Sequence, residues 1–104
     1  MIDYKSEIQD IKHQIINKYR PERIILFGSA ARNEFTNDSD IDMLIVKKTD
    51  KQKFDRLCEL RRLLDYNFSL DLIVYTPEEI ELATQQGNDF VKTIYDEGVV
   101  LYEQ

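Results

Sequence analysis

Apolar residues along the chain follow two spacings, one typical of helices and the other of buried strands. Over residues 3–19, isoleucines recur every three or four positions and predict an amphipathic helix, which Pro21 ends. Three apolar runs are too short for helices and predict strands, the first of them buried on both faces. These runs are Arg23–Phe27, Ile41–Val46 and Leu70–Tyr75.

Polar segments between these runs predict turns and further helices. Leucines at helical spacing predict a second helix over residues 54–65, with Asp50 as its N-cap. Thr76 and Glu79 form a capping box around Pro77 and predict a third helix that ends near Gly87. A fourth helix is expected over residues 88–98, and a short edge strand over residues 99–102.

The segment between the first two strands is polar and short. Ser29 is expected to cap a short helical turn, and residues 33–39 are rich in turn-forming side chains. About a dozen residues favour an antiparallel connection, whereas the helix between the second and third strands favours a parallel crossover. The sequence therefore predicts an α/β (α+β) fold, with a small mixed sheet, helices packed on it, and a single domain over residues 1–104.

Composition and charge exclude several classes of function. The 104 residues include 20 acidic and 14 basic side chains, so we expect no direct binding to nucleic acids. Cys58 is the only cysteine, which excludes an internal disulfide, and with one histidine the chain lacks a zinc-binding cluster. No apolar stretch is long enough to span a membrane, and we expect a cytoplasmic location.

Three aspartates lie where the predicted strands meet at one edge of the sheet. Asp40 and Asp42 are two residues apart at the start of the second strand, so their side chains share a face, and Asp71 starts the third strand. Carboxylates within apolar strands need a compensating positive charge, and the second and third strands contain no lysine or arginine. Oxygen ligands of this kind favour Mg²⁺, and two ions can be held together with nucleotide phosphates.

Gly28 and Ser29 follow the first strand at the same edge. Gly28 permits a tight turn and the close approach of a phosphate, and Ser29 offers a hydroxyl at the positive end of the next turn. The pair alone is common in turns, but in combination with the three aspartates it predicts a site for magnesium and phosphate.

These residues resemble the motifs of the minimal nucleotidyltransferases of the DNA polymerase β superfamily, and among them those of the MntA antitoxins of MntA/HepT modules. The matching stretches are LFGSAAR at 26–32, DSDIDMLIV at 38–46, LDLIV at 70–74 and IYDEGVVLY at 94–102. The resemblance implies that Asp40 and Asp42 bind both magnesium ions and that Asp71 completes one site and helps to activate an acceptor hydroxyl. It also implies that Gly28 and Ser29 hold the terminal phosphates of ATP. Arg32 is either a further phosphate contact or a solvated arginine.

The resemblance further implies transfer of AMP from ATP to a tyrosine of a HEPN-domain (HepT-like) ribonuclease toxin, which inactivates the toxin. The chain is expected to spend its length on the catalytic sheet, so that a docking protein supplies much of the acceptor site. Two alternatives remain open. One is a small-molecule, aminoglycoside-type nucleotidyltransferase that needs a partner subunit, and the other is an antitoxin that acts by binding alone.

Overall fold

The computed structural model describes residues 3–34 and 40–104, which form four α-helices and a four-stranded sheet. The helices are α1 Tyr4–Tyr19, α2 Lys53–Leu63, α3 Pro77–Gln85 and α4 Asp89–Glu97. The strands are β1 Arg23–Phe27, β2 Ile41–Val46, β3 Leu70–Tyr75 and β4 Val99–Glu103. The α/β fold with a small mixed sheet is thereby confirmed.

The sheet has the order β3-β2-β1-β4. Strand β1 is antiparallel to both β2 and β4, whereas β2 and β3 are parallel and are joined through α2. Both orientations predicted from connection lengths are confirmed. As a result, the end of β1 and the starts of β2, β3 and β4 lie at one edge of the sheet. We call it the catalytic edge because the predicted site residues lie there.

Alternation along the strands gives the sheet two differently covered faces. One face carries Met43 and Leu72 among others and packs against α1 and α2 in the larger core cluster. The other face carries Ile25, Leu44 and Val46, which pack against Ile94 of α4 in a smaller cluster. Asp42 lies two residues before Leu44 on β2, so its side chain projects from the same face, which is the face that α4 covers.

The predicted N-cap of the second helix is wrong. Helix α2 begins at Lys53 with Gln52 at the N-cap position, so Asp50 does not cap it. The cause is Arg56, whose backbone N–H donates to Gln52 O (3.0 Å) and whose Nε donates to Lys51 O (2.7 Å). These bonds start the helix beyond the reach of the Asp50 carboxylate.

The turn after β1 also differs from expectation. A 3₁₀ turn spans Gly28–Ala30 with Phe27 at the N-cap position, so Ser29 lies inside the turn and does not cap it. Gly28 O accepts hydrogen bonds from the N–H groups of Ala31 (3.1 Å) and Arg32 (3.3 Å). The turn therefore begins at Gly28, before the residue that was expected to cap it. The expected turn residues 35–39 lie outside the described residues.

The other predicted helix boundaries agree with the structure. The capping box is present, because Glu79 N–H donates to Thr76 Oγ1 (3.1 Å) and Thr76 N–H donates to Glu79 Oε1 (2.8 Å). Asn88 caps α4 through Oδ1, which accepts from Val91 N–H. Among the helices described, none combines the length and apolar character needed to cross a membrane.

Candidate active site

Two of the predicted aspartates are adjacent in the sheet. Asp42 is the second residue of β2 and Asp71 the second residue of β3, and the two are partners in the parallel register. Phe27, the last residue of β1, is the partner of Asp42 on its other side. The backbone ladder therefore fixes the spacing of the two aspartates, and their side chains project from the same face.

The Asp42 carboxyl is held in an environment that disfavours its charge. Burial, the negative charge and hydrogen bond of Asp71, and the charge of Asp40 together raise the pKa of Asp42 from 3.8 to about 6. All of these effects raise the pKa, and among the described residues no lysine or arginine lowers it. Asp71 itself is exposed, so the pair has one half-buried and one solvent-facing member.

Asp40 is less closely associated with this pair than the sequence predicts. It lies one residue before β2 and is exposed, and it acts on Asp42 through its charge. Within residues 3–34 and 40–104, no three His, Cys, Asp or Glu side chains are close enough together to hold one metal ion as they stand. The structure thus brings Asp42 and Asp71 together and leaves Asp40 at the rim.

The chemistry of these groups fits a hard divalent cation. Both members of the adjacent pair present carboxylate oxygens, and a third carboxylate stands close enough to raise the pKa of Asp42. Such like charges are unfavourable neighbours unless a proton or a cation is shared between them. Asp42 and Asp71 would be the two ligands of Mg²⁺ that the structure brings together, whereas Asp40 stands at the rim and contributes negative charge.

Gly28 is packed directly against Asp42. Its φ of +73° is left-handed, and a Cβ built on it would overlap Asp42 Oδ2. Both observations require glycine at this position, because an L side chain is strained at this φ and would displace the carboxylate. The 3₁₀ turn that begins here packs beside β2, which places half-buried Ser29 close to the aspartates. The Gly28–Ser29 corner and the carboxylate pair therefore form one site.

Arg32 lies at the end of the same corner, and its contacts are compatible with both roles that the sequence predicts, a phosphate contact or a solvated arginine. Its Nε donates to Glu34 Oε1 at 2.9 Å, and its side chain is 47% exposed. The ion pair uses one of the five guanidinium donors, and the others can serve a phosphate. Arg32 also lines a small cavity of about 90 Å³ next to Gly28.

Sequence reasoning missed an aromatic pair beside this cavity. Phe27 and Phe90 meet edge to face with ring centroids 5.9 Å apart, and both line the cavity with Gly28. The pair joins α4 to the catalytic edge. Part of it could have been found in the sequence, because alternation in β1 places Phe27 on the face of Asp42, but the contact with Phe90 depends on how α4 crosses the sheet.

Comparison with known proteins identifies the family. The family model described as polymerase beta, nucleotidyltransferase, matches residues 9–104 of this chain. The chain belongs to this nucleotidyltransferase family. Asp42, Asp71 and the Gly28–Ser29 corner all fall inside the matched region.

Relatives cover most of the nucleotidyltransferase chain. A Methanocaldococcus jannaschii protein named "putative protein adenylyltransferase" is 39% identical, over 94% of this chain and 97% of its own. A second M. jannaschii protein with that name is 34% identical, over 91% of this chain and 94% of its own. A crystal structure of a "putative nucleotidyltransferase" from Sulfolobus solfataricus has a TM-score of 0.66 and 26% identity, covering 95% of this chain and 79% of that one.

Proposed function

We propose that this protein is a magnesium-dependent protein adenylyltransferase that moves AMP from ATP to a tyrosine hydroxyl of a HEPN-type ribonuclease toxin, and so acts as an antitoxin. The observation that carries the proposal is the register pairing of Asp42 with Asp71 beside Gly28. The family match supports nucleotidyl transfer, and the names of the relatives support a protein acceptor. The toxin and its tyrosine rest on the resemblance of the sequence motifs.

The residues of the site divide the reaction between them. The Gly28–Ser29 corner holds the terminal phosphates of ATP and orients the α-phosphorus toward the carboxylates. The tyrosine oxygen forms a bond to the α-phosphorus while the bond from that phosphorus to the bridging oxygen breaks, and pyrophosphate leaves. Asp71, the exposed member of the pair, accepts the hydroxyl proton. Asp42 and Asp71 would hold Mg²⁺, which would supply charge neutralisation for the phosphates.

Asp42→Asn tests the chemistry directly. We expect the variant to fold and to add AMP to the partner at least about 100-fold more slowly, because a ligand and a charge at the reacting phosphate are lost. The measurement is the intact mass of the product of the adjacent gene after co-expression with this chain. Asp55→Asn, an exposed position in α2 on the other face of the sheet, is the matched control and is expected to leave the added mass unchanged.

Three outcomes would contradict the proposal. One is wild-type addition of AMP by the Asp42→Asn variant. Another is full neutralisation of the toxin by that variant in cells, which would indicate an antitoxin that acts by binding. The third is transfer of AMP to an aminoglycoside by the purified chain without transfer to the partner protein.

A further inference from the structure

An open trough lies on the α4 side of the sheet, at the end of the strands opposite the catalytic edge. It consists of two adjoining grooves of about 250 Å³ and 440 Å³, which share Arg23, Ile80 and Tyr95. Helices α3 and α4 form one wall and the ends of β1, β2 and β4 the other. We call it the α3–α4 trough, and nothing in the proposed nucleotidyl transfer uses it.

The helices that border the trough leave apolar surface uncovered. Helix α3 has no buried residue, and only the partly buried Ile80 packs against the sheet cluster. Tyr95 of α4, which lines both grooves, is 37% exposed, and Leu82 of α3, which lies outside the lining, is 54% exposed. A helix whose apolar residues find so little cover inside the chain is typical of a surface that packs against another protein.

The same helices carry nearly all of the net charge of the chain. Residues 76–98 contain six acidic residues against Lys92 alone, a net charge of −5 out of −6 for the whole sequence. The acidic residues are Glu78, Glu79, Glu81, Asp89, Asp96 and Glu97. Because the remainder is nearly neutral, the negative charge is concentrated on these two helices. The trough lining contains Asp96 with Glu22 and Glu103, against Arg23 and Lys92, and this acidic excess favours a basic partner.

The floor of the trough contains an acceptor that has no donor. Glu22 Oε2 is fully buried, lines the trough, and makes no hydrogen bond within the described residues. The adjacent Arg23 guanidinium is already engaged by Glu103 Oε1 (2.8 Å) and Tyr95 Oη (3.3 Å). A buried carboxylate oxygen without a donor is costly, and the positive charge of a lysine or arginine in the trough beside Glu22 would lower that cost.

The trough and the catalytic carboxylates open on the same face of the sheet. Val46 lines the trough, and it lies four residues along β2 from Asp42, a distance of about 13 Å at the usual rise of a strand. A helix covers that distance in about nine residues. A protein segment in the trough therefore places neighbouring parts of the same partner over Asp71.

We propose that the α3–α4 trough docks a basic amphipathic helix of the protein that accepts the nucleotide. Its apolar side chains pack against Ile80 and Tyr95, and one lysine or arginine lies beside Glu22 and Asp96. The assignment of this helix to the acceptor rests on the proposed function. The trough itself is defined by the shape, charge and unpaired carboxylate described above.

Binding of a designed peptide to the full chain tests the trough. The probe is a labelled helical peptide of about 15 residues, enough for a marginally stable helix, built from leucine and lysine with one apolar stripe. A second peptide replaces each lysine with glutamate. We expect the lysine peptide to bind and to shift the amide resonances of Ile80, Val91 and Tyr95, and the glutamate peptide not to bind.

Charge variants identify the surface. Glu81→Lys with Asp96→Lys, both exposed positions beside the trough, is expected to weaken peptide binding about 10-fold or more, and Glu22→Gln about 10-fold. Asp10→Lys with Asp65→Lys makes the same change of net charge at two exposed positions beside Gln14 of α1, which packs on the other face, and is expected to change affinity by less than about 2-fold. A circular dichroism spectrum of each variant controls for folding.

The results separate this proposal from the proposed function. Equal weakening by the two charge-reversal pairs, resonance shifts away from the trough, or a dimer of this chain that occupies the trough would each overturn the docking site. Magnesium-dependent ATP binding by the same variants is measured in parallel. If the Glu81→Lys, Asp96→Lys variant loses peptide binding but still binds ATP, the result supports the trough as the docking site. If the wild-type chain binds the peptide at the trough but does not bind ATP, the result contradicts only the proposed enzymatic function.

Discussion

Gly28 and Gly87 form a matched pair that tests how tightly the catalytic edge is packed. Both have left-handed backbone, with φ of +73° and +70°. A Cβ on Gly28 would overlap Asp42 Oδ2, whereas a Cβ on Gly87 would meet nothing within 4 Å. The difference between alanine substitutions at the two glycines therefore measures the contact with Asp42.

The two costs can be estimated from the structure. Alanine at a left-handed φ costs about 1–2 kcal/mol, and restriction of the unfolded chain returns about 0.4–1 kcal/mol, so Gly87→Ala is expected to cost about 1 kcal/mol. Overlap with Asp42 Oδ2 turns the end of a half-buried side chain away from its preferred rotamer and adds about 1 kcal/mol, which brings Gly28→Ala to about 2 kcal/mol. Each kcal/mol lowers the melting temperature of a chain of this size by about 4–8 °C.

Urea unfolding followed by far-ultraviolet circular dichroism measures these free energies. Removing the carboxylate in the double variant Gly28→Ala, Asp42→Ala should recover about 1 kcal/mol relative to the sum of the single variants. We also expect ATP binding to be lost in Gly28→Ala and retained in Gly87→Ala. Equal costs for the two glycine variants, or no recovery in the double variant, would refute the packing of Gly28 against Asp42.

Two further predictions concern pH. Because the pKa of Asp42 is raised to about 6 in the folded protein, the free energy of unfolding in EDTA should fall relative to that of Asp42→Asn as the pH rises from about 4 to 6. After allowance for solvent screening, the variant should be more stable by about 1 kcal/mol at pH 7, and urea titrations that show it less stable would contradict this. Burial raises the pKa of Glu79, but hydrogen bonds from Arg56 and from the backbone of Thr76 outweigh it and lower the pKa. Glu79→Gln should therefore cost about 1 kcal/mol at pH 7, an advantage of the wild type that disappears as the pH falls below the usual carboxyl range, and an unchanged difference at low pH would exclude this cause.

Much of the fold follows from local signals in the sequence. The first three strands are apolar runs bounded by polar turns, and the capping box of Thr76 and Glu79 marks the start of α3. The pairing of Asp42 with Asp71 also follows, because a helical connection implies parallel strands and both residues stand second in their strands. Family membership was correctly indicated by the motifs around these residues.

Other features depend on contacts between distant segments and have no local signal. Arg56 appears in the sequence as one more charge in a helix, yet its side chain is buried and bonds to Glu79 at 2.6 Å. The Arg56 side chain also donates from Nε to Lys51 O, and this bond to the backbone before α2 explains why Asp50 does not cap the helix. The unpaired oxygen of Glu22 likewise arises only when β1, β4 and α3 come together around it.

The order of the elements along the chain separates the proposed chemistry from the proposed recognition surface. Every residue of the candidate active site lies between positions 28 and 71, on the strands and the corner that precede α3. The helices that border the trough follow as one continuous block, joined to the sheet mainly through Ile94 and Ile80. Exchange of that block between homologues could therefore redirect the enzyme to a new target without any change to its catalytic groups.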